Sequence, residues 1–168
     1  MIDVDKIRQT IVCGLKDTLG VPVIRSNTPR ALPKLPFCSY TIQSLLKNSE
    51  GTWQRIGNGI DRIPARQVWS ITVNAEKYIT CAKLALLAHD FFSKSGVIWL
   101  KDNGIVIEKV GEVTPRDTLI TVDYEHRQGF DVQLGIMNTQ EYSEDDVIES
   151  AEIDGQYIKA VSYTHLTL

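Results

Sequence analysis

A chain of 168 residues, 43% hydrophobic and 23% charged, is long enough for one core and too short for two comfortable ones, which predicts a single domain with none of the composition of fibre or disorder. A net charge of -3 with no basic cluster in the sequence argues against binding nucleic acid through the whole surface, because phosphate neutralisation needs several cations on one face; a local contact stays open. Cys13, Cys38 and Cys81 are odd in number, far apart and without a partner at metal spacing, so they read as small buried hydrophobes in a reducing compartment.

Met1 to Lys6 carries acids where a signal peptide begins basic, and no apolar stretch is long enough to span a bilayer, so neither export by a signal nor a membrane span is expected. Val4, Ile7, Ile11, Leu15 and Leu19 then recur at three- and four-residue steps, which predicts an amphipathic helix capped by Asp3 and ended by Gly20 in a left-handed turn. Val21 to Arg25 reads as a short strand, and Pro29, Pro33 and Pro36 make the next segment a surface crossing, since proline has no amide to donate. Alternation from Phe37 to Leu45 gives a second strand. Asn48, Gly51, Gly57 and Gly59 then supply the turn chemistry of a long hairpin or extended loop between Lys47 and Pro64.

Arg66 to Ala75 resumes the alternation, with Trp69, Ile71 and Val73 in register, and pairs antiparallel with Phe37 to Leu45. Cys81, Leu84, Ala85, Ala88, Phe91 and Phe92 form the cleanest helical stripe in the chain, with Gly96 placed as its C-terminal cap. After a turn at Asp102 to Gly104, Ile105, Ile107 and Val110 predict a strand that Pro115 interrupts, and Thr118 to Asp123 leads onward. Phe130, Val132, Leu134 and Ile136 then alternate with Asp131, Gln133, Gly135 and Met137, the pattern of a central, half-buried antiparallel strand. Gly129 before it allows a bulge or a close backbone approach, and so a change of direction.

Beyond Asn138 lie Glu141, Glu144, Asp145, Asp146, Glu149, Glu152 and Asp154 with no Lys or Arg among them; they suit a solvated arm better than an electronegative wall. Val147, Ile148, Ile153 and Ile158 suggest a weak final strand. Ala160 to Leu168 fits none of the patterning before it and resembles the translated read-through of a sequencing adapter. Residues 1–158 are therefore expected to be the domain and 159–168 a non-native tail. The fold class expected is α+β, a mainly antiparallel four- to five-stranded sheet with two helices packed on one face.

Chemistry is sparse. His89 sits off the helical stripe as an exposed residue, His126 beside Arg127 suits a structural hydrogen bond, and His165 lies in the tail. Gly57 and Gly59 open no phosphate-cradling helix, Cys81 is in a buried stripe, and no catalytic residue, metal site or cofactor is indicated. Binding is the better use of the polar residues. Trp53, Arg55, Arg62 and Arg66 share the projection between the second and third strands, and Trp with Arg is the mix of interface anchors, although a Trp folded back onto the sheet explains it equally. Glu125 and Arg127 either reach a neighbouring subunit or pair locally.

The order of elements, with the words Val21-Pro22-Val23-Ile24-Arg25, Pro36-Phe37-Cys38-Ser39-Tyr40-Thr41-Ile42, the strand and helix from Trp69 through Phe92, and Tyr124-Glu125-His126-Arg127-Gln128-Gly129-Phe130-Asp131-Val132, resembles the phage tail terminator or neck terminator family. The resemblance covers about Ile7 to Asn138. It implies a non-enzymatic virion protein of the tail or neck, assembled in the bacterial cytoplasm. Such a protein caps the tail tube as a ring, by resemblance a hexamer matching the six-fold tube, stops tube polymerisation and joins the tail to the head–tail connector or stopper. Its partners would be copies of itself, the tail tube protein and the connector, with genomic DNA passing through the lumen without specific binding, past an acidic wall that repels it. The competing readings are another head–tail joining protein, a head-closure or adaptor subunit, and a small ligand-binding or enzyme domain on the same scaffold.

Overall fold

The computed structural model describes residues 2–27, 29, 31–57, 59–116 and 125–141, and the backbone of 150–153 and 156–159. Helix α1 (Val4–Leu19) begins where expected, with the Lys6 amide donating to the Asp3 carboxylate at 2.9 Å, and ends at Gly20, whose φ of 66° lets its amide reach the Lys16 carbonyl. Strand β1 (Val23–Arg25) then runs parallel to β2 (Phe37–Asn48), which makes the sheet mixed at one edge. Everything else in it is antiparallel. Strand β4 (Ile60–Ala75) lies between β2 and β7 (His126–Glu141), and β5 (Val106–Val110) forms the other edge, in the order β1-β2-β4-β7-β5. Two short strands, β3 (Gln54–Gly57) on β4 and β6 (Thr114–Pro115) on β7, bring the sheet to seven strands where four to five were expected.

The segment between Lys47 and Pro64 is more sheet than loop. Strand β2 continues to Asn48, β4 begins at Ile60, and β3 folds back on it with Gln54 opposite Arg62 and Arg55 opposite Asp61. Gly57 and Gly59, at φ of 101° and 69°, take the left-handed backbone that so tight a return requires. The sheet therefore extends as an arm past the point where alternation alone marked the start of the third strand.

One face of the sheet carries the core. Cys38, Tyr40, Trp69, Ile71, Val73, Phe130, Val132 and Leu134 are all buried on it and pack against Ile11, Leu15 and Leu19 of α1 and Cys81, Ala85 and Ala88 of α2 (Tyr78–Asp90). Tyr40 stacks on Trp69 at 5.1 Å between ring centroids. Gly96 ends the second helical run as expected, its amide donating to the Phe91 carbonyl at 2.8 Å, but at a φ of -96° and not in a left-handed turn. What the sequence did not show is that the last turn of that run, Phe91–Ser95, is a π turn, and that a third helix, α3 (Val97–Asp102), starts directly after the cap. The wider turn lets the adjacent Phe91 and Phe92 both point inward, where Phe92 meets Phe130 edge-on at 6.1 Å.

Gly129 makes no bulge. Strand β7 pairs with β4 residue for residue from His126 opposite Ala75 to Glu141 opposite Ile60, without a shift. What the glycine allows is close approach: a Cβ there would lie 2.5 Å from the Ile71 carbonyl oxygen and 2.8 Å from Arg116. Cys38 and Cys81 are buried as expected, the former with its thiol pushed up to about 12 by burial, but Cys13 is exposed because it lies on the outer side of α1. His89 is half-buried, not exposed, with its ring edge-on to Phe130 at 5.3 Å. Strands β8 (Ser150–Ile153) and β9 (Gln156–Lys159) form a separate two-stranded sheet that takes in Ile153 and Ile158; Val147, Ile148 and the lead-in at Thr118 to Asp123 lie outside the described residues.

Candidate subunit and partner interface

The six candidate contact residues fall at two separate places. Trp53 is half-buried just ahead of β3, and Arg55 on that strand pairs across the hairpin with Asp61 at 3.7 Å. Arg62 and Arg66 stand on the face of β4 away from the helices, because even-numbered residues of β4 point there while the odd-numbered Ile63, Ala65 and Gln67 are buried. Arg62 is exposed opposite Gln54 and Thr139. Arg66 reaches across β7 to Glu108 on β5. That path exists because the residue of β7 between them is Gly135, where a Cβ would come 2.9 Å from a Glu108 carboxylate oxygen.

Glu125 and Arg127 are at the opposite end of β7, paired with each other at 3.2 Å. Arg127 faces Asn74, whereas Arg66 faces Gly135 and Arg62 faces Thr139, so eight to twelve residues of β7, roughly 26 to 40 Å at the rise of a strand, separate Arg127 from them. The sheet does not gather them into one site.

Sequence reasoning missed a third cluster. Arg116, just past β6, lies over Gly129 and donates to the Asp131 carboxylate at 2.7 Å, to the Thr72 hydroxyl at 3.3 Å and to the Ser70 hydroxyl. Ser70 and Asp131 are register partners, as are Thr72 and Gly129, which is why one guanidinium reaches all three acceptors. Burial alone would raise the Asp131 carboxyl, but hydrogen bonds from Arg116 and Ser70 hold it below the usual carboxylate range. The signal available in the sequence was the pair Gly129 and Asp131, which marks a strand face open enough for a long cation to cross.

Further apolar residues stand outward on the helical layer, Ile79, Leu86 and Leu87 on α2 and Ile98 and Trp99 on α3. An open groove lies between the start of α1 and the arm, lined by Ile2, Val4, Leu45, Leu46, Asn138, Gln140 and Glu141. It brings together neither a nucleophile with a base nor a ligand set; among the described residues no three His, Cys, Asp or Glu are placed to hold a metal ion. No helix among them is long and apolar enough to cross a membrane.

The site thus consists of an extended sheet with paired charges along one face and no catalytic constellation among the described residues. The family described as Phage neck terminator protein matches residues 3–161. The chain belongs to that family. Neck terminators are structural proteins of the phage head–tail junction, so this chain is a component of the tail and neck of the virion. No curated protein matches it. Solved structures do match it; one of these chains is similar at 17% identity and a TM-score of 0.43, with 86% of this chain and all of that one covered.

Proposed function

We propose that this chain closes into a ring on the last ring of the tail tube, stops tube polymerisation there and presents its other side to the head–tail connector. The observation that carries the reading is the match of nearly the whole chain to the neck terminator family, on a fold with a helical layer packed on one face of a seven-stranded sheet. Six-fold symmetry follows from the tube it would cap, and a head-to-tail interface that closes by rotation gives such a ring from one kind of contact. In this reading the arm formed by β3 and the ends of β2, β4 and β7 meets the neighbouring subunit, with Trp53, Arg55, Arg62 and Arg66, which lie on or beside it, as contacts.

The test is polymerisation of purified tail tube protein with and without this chain. Tubes that stop growing, with a six-fold ring at one end in averaged images, are expected. Tubes that elongate unchanged while the chain binds the connector alone would overturn termination in favour of an adaptor role.

A further inference from the structure

The face of the sheet away from the helices turns out to be basic over its arm. Lys47 is the register partner of Arg66 there, Lys109 is the partner of Gln133 one row along, and Arg62 stands two rows further toward the tip. The bulge at Glu108 puts that carboxylate on the same face, where it is taken up by Arg66. Over the arm these four cations share the surface with two acids, Glu108 and, at the tip opposite Ile60, Glu141, while Asp131 further along the face is taken up by Arg116. Lys47, Arg62 and Lys109 have no carboxylate partner among the described residues. No helix covers this face among those residues.

The charge that complements it lies in the same chain. Between Glu141 and Asp154 the sequence places seven acids and no Lys or Arg. With those seven set aside from the 21 acids of the chain, 14 remain against 18 Lys and Arg, so the rest of the protein is basic and this one segment makes the chain acidic. The segment leaves β7 at Glu141, the tip of the arm, and carries the hairpin of β8 and β9, which pairs with no strand of the main sheet. A two-stranded hairpin by itself is marginal in water and gains stability by packing on another surface.

We infer that the acidic segment after β7, Glu144 to Asp154, of one copy docks on the basic sheet face of the next, over Lys47, Arg62 and Lys109. The inference rests on the ring reading and names the contact that closes the ring. It is heterologous, segment on face, so every copy gives one contact and takes one, as a closed ring requires. Opposite charge on the two surfaces sets the register and suppresses face-to-face pairing, since two basic faces repel.

Two triple variants of the full chain test it: Lys47→Glu with Arg62→Glu and Lys109→Glu on the face, and Glu144→Lys with Asp145→Lys and Asp146→Lys on the segment. Each alone places like charges in contact and is expected to lower the ring population in native mass spectrometry by about tenfold or more, with the circular dichroism spectrum unchanged. An equimolar mixture of the two restores the ring, now alternating, because the segment of each matches the face of the other. Restoration in a single chain carrying all six changes, without restoration in the mixture, would mean the segment folds on its own face and overturns the contact. Rings that form at wild-type levels in each variant overturn it as well while leaving the ring reading intact. A wild-type chain that forms no ring, free or on tubes, removes that reading and the contact with it.

Discussion

Gly14 is where the first helix touches the π turn and α3, and nothing larger fits. A Cβ there would stand 2.5 Å from the Phe91 ring and 2.6 Å from that of Trp99. Gly14→Ala is therefore expected to cost about 1–3 kcal/mol through overpacking, read as a lower urea midpoint at unchanged slope; a midpoint equal to wild type would show that the helices simply move apart. On the other face, Asp131 makes stability depend on pH in a defined direction. Its folded-state pKa lies below its unfolded value, so the contact with Arg116 stabilises above about pH 3.9 and is lost as pH falls through the folded value. Melting temperatures of wild type and Asp131→Asn should differ at neutral pH and converge below about pH 4. A gap that stays constant through acid would separate Asp131 from the effect.

At the scale of elements, the arm is the part whose role alternation could not fix. Arg66 and Glu108 form an exposed pair, their side chains 59% and 30% accessible, so Arg66→Ala should change stability by less than about 1 kcal/mol in urea unfolding. A larger loss would mean the arm depends on that pair for its fold. Replacing Trp53 and Arg55 together by alanine should leave the far-ultraviolet circular dichroism spectrum native and weaken self-association, since the pairing of Arg55 with Asp61 at 3.7 Å is largely solvent-exposed on the arginine side and the segment is proposed as a contact. Unchanged association would take Trp53 and Arg55 out of the interface. The helices, β2, and the core halves of β4 and β7 were legible because each buries one face, which prints a period of 3.6 or 2 on the sequence. The arm was not, because its strands are flanked by glycines and carry exposed apolar residues such as Leu45, Leu46 and Ile56 where alternation should place polar ones.

For the whole molecule, the segment from Ala160 to Leu168 is proposed as foreign to the fold. Its deletion is expected to change neither the melting temperature nor the ring population, and a fall of several degrees would make it part of the domain. The candidate interface was legible only as a composition. Trp53, Arg55, Arg62 and Arg66 are near one another in sequence and stay so in the arm, whereas Glu125 and Arg127, equally charged, end at the other end of β7 and pair with each other.

By itself the sequence determined the fold class, the capped first helix, the core strands and the family, because these rest on local periodicity and on short words that do not depend on distant partners. Only the tertiary structure decided how charge is arranged. Lys47, Arg62, Arg66 and Lys109 are spread over more than sixty residues of sequence and look like unrelated surface cations until four strands set them side by side. The same holds for Arg116 and its acceptors, which meet because β4 and β7 pair without a shift and Gly129 leaves room above them. Register, not composition, makes a charged face: the pairing of strands is a long-range choice that no window of the chain contains.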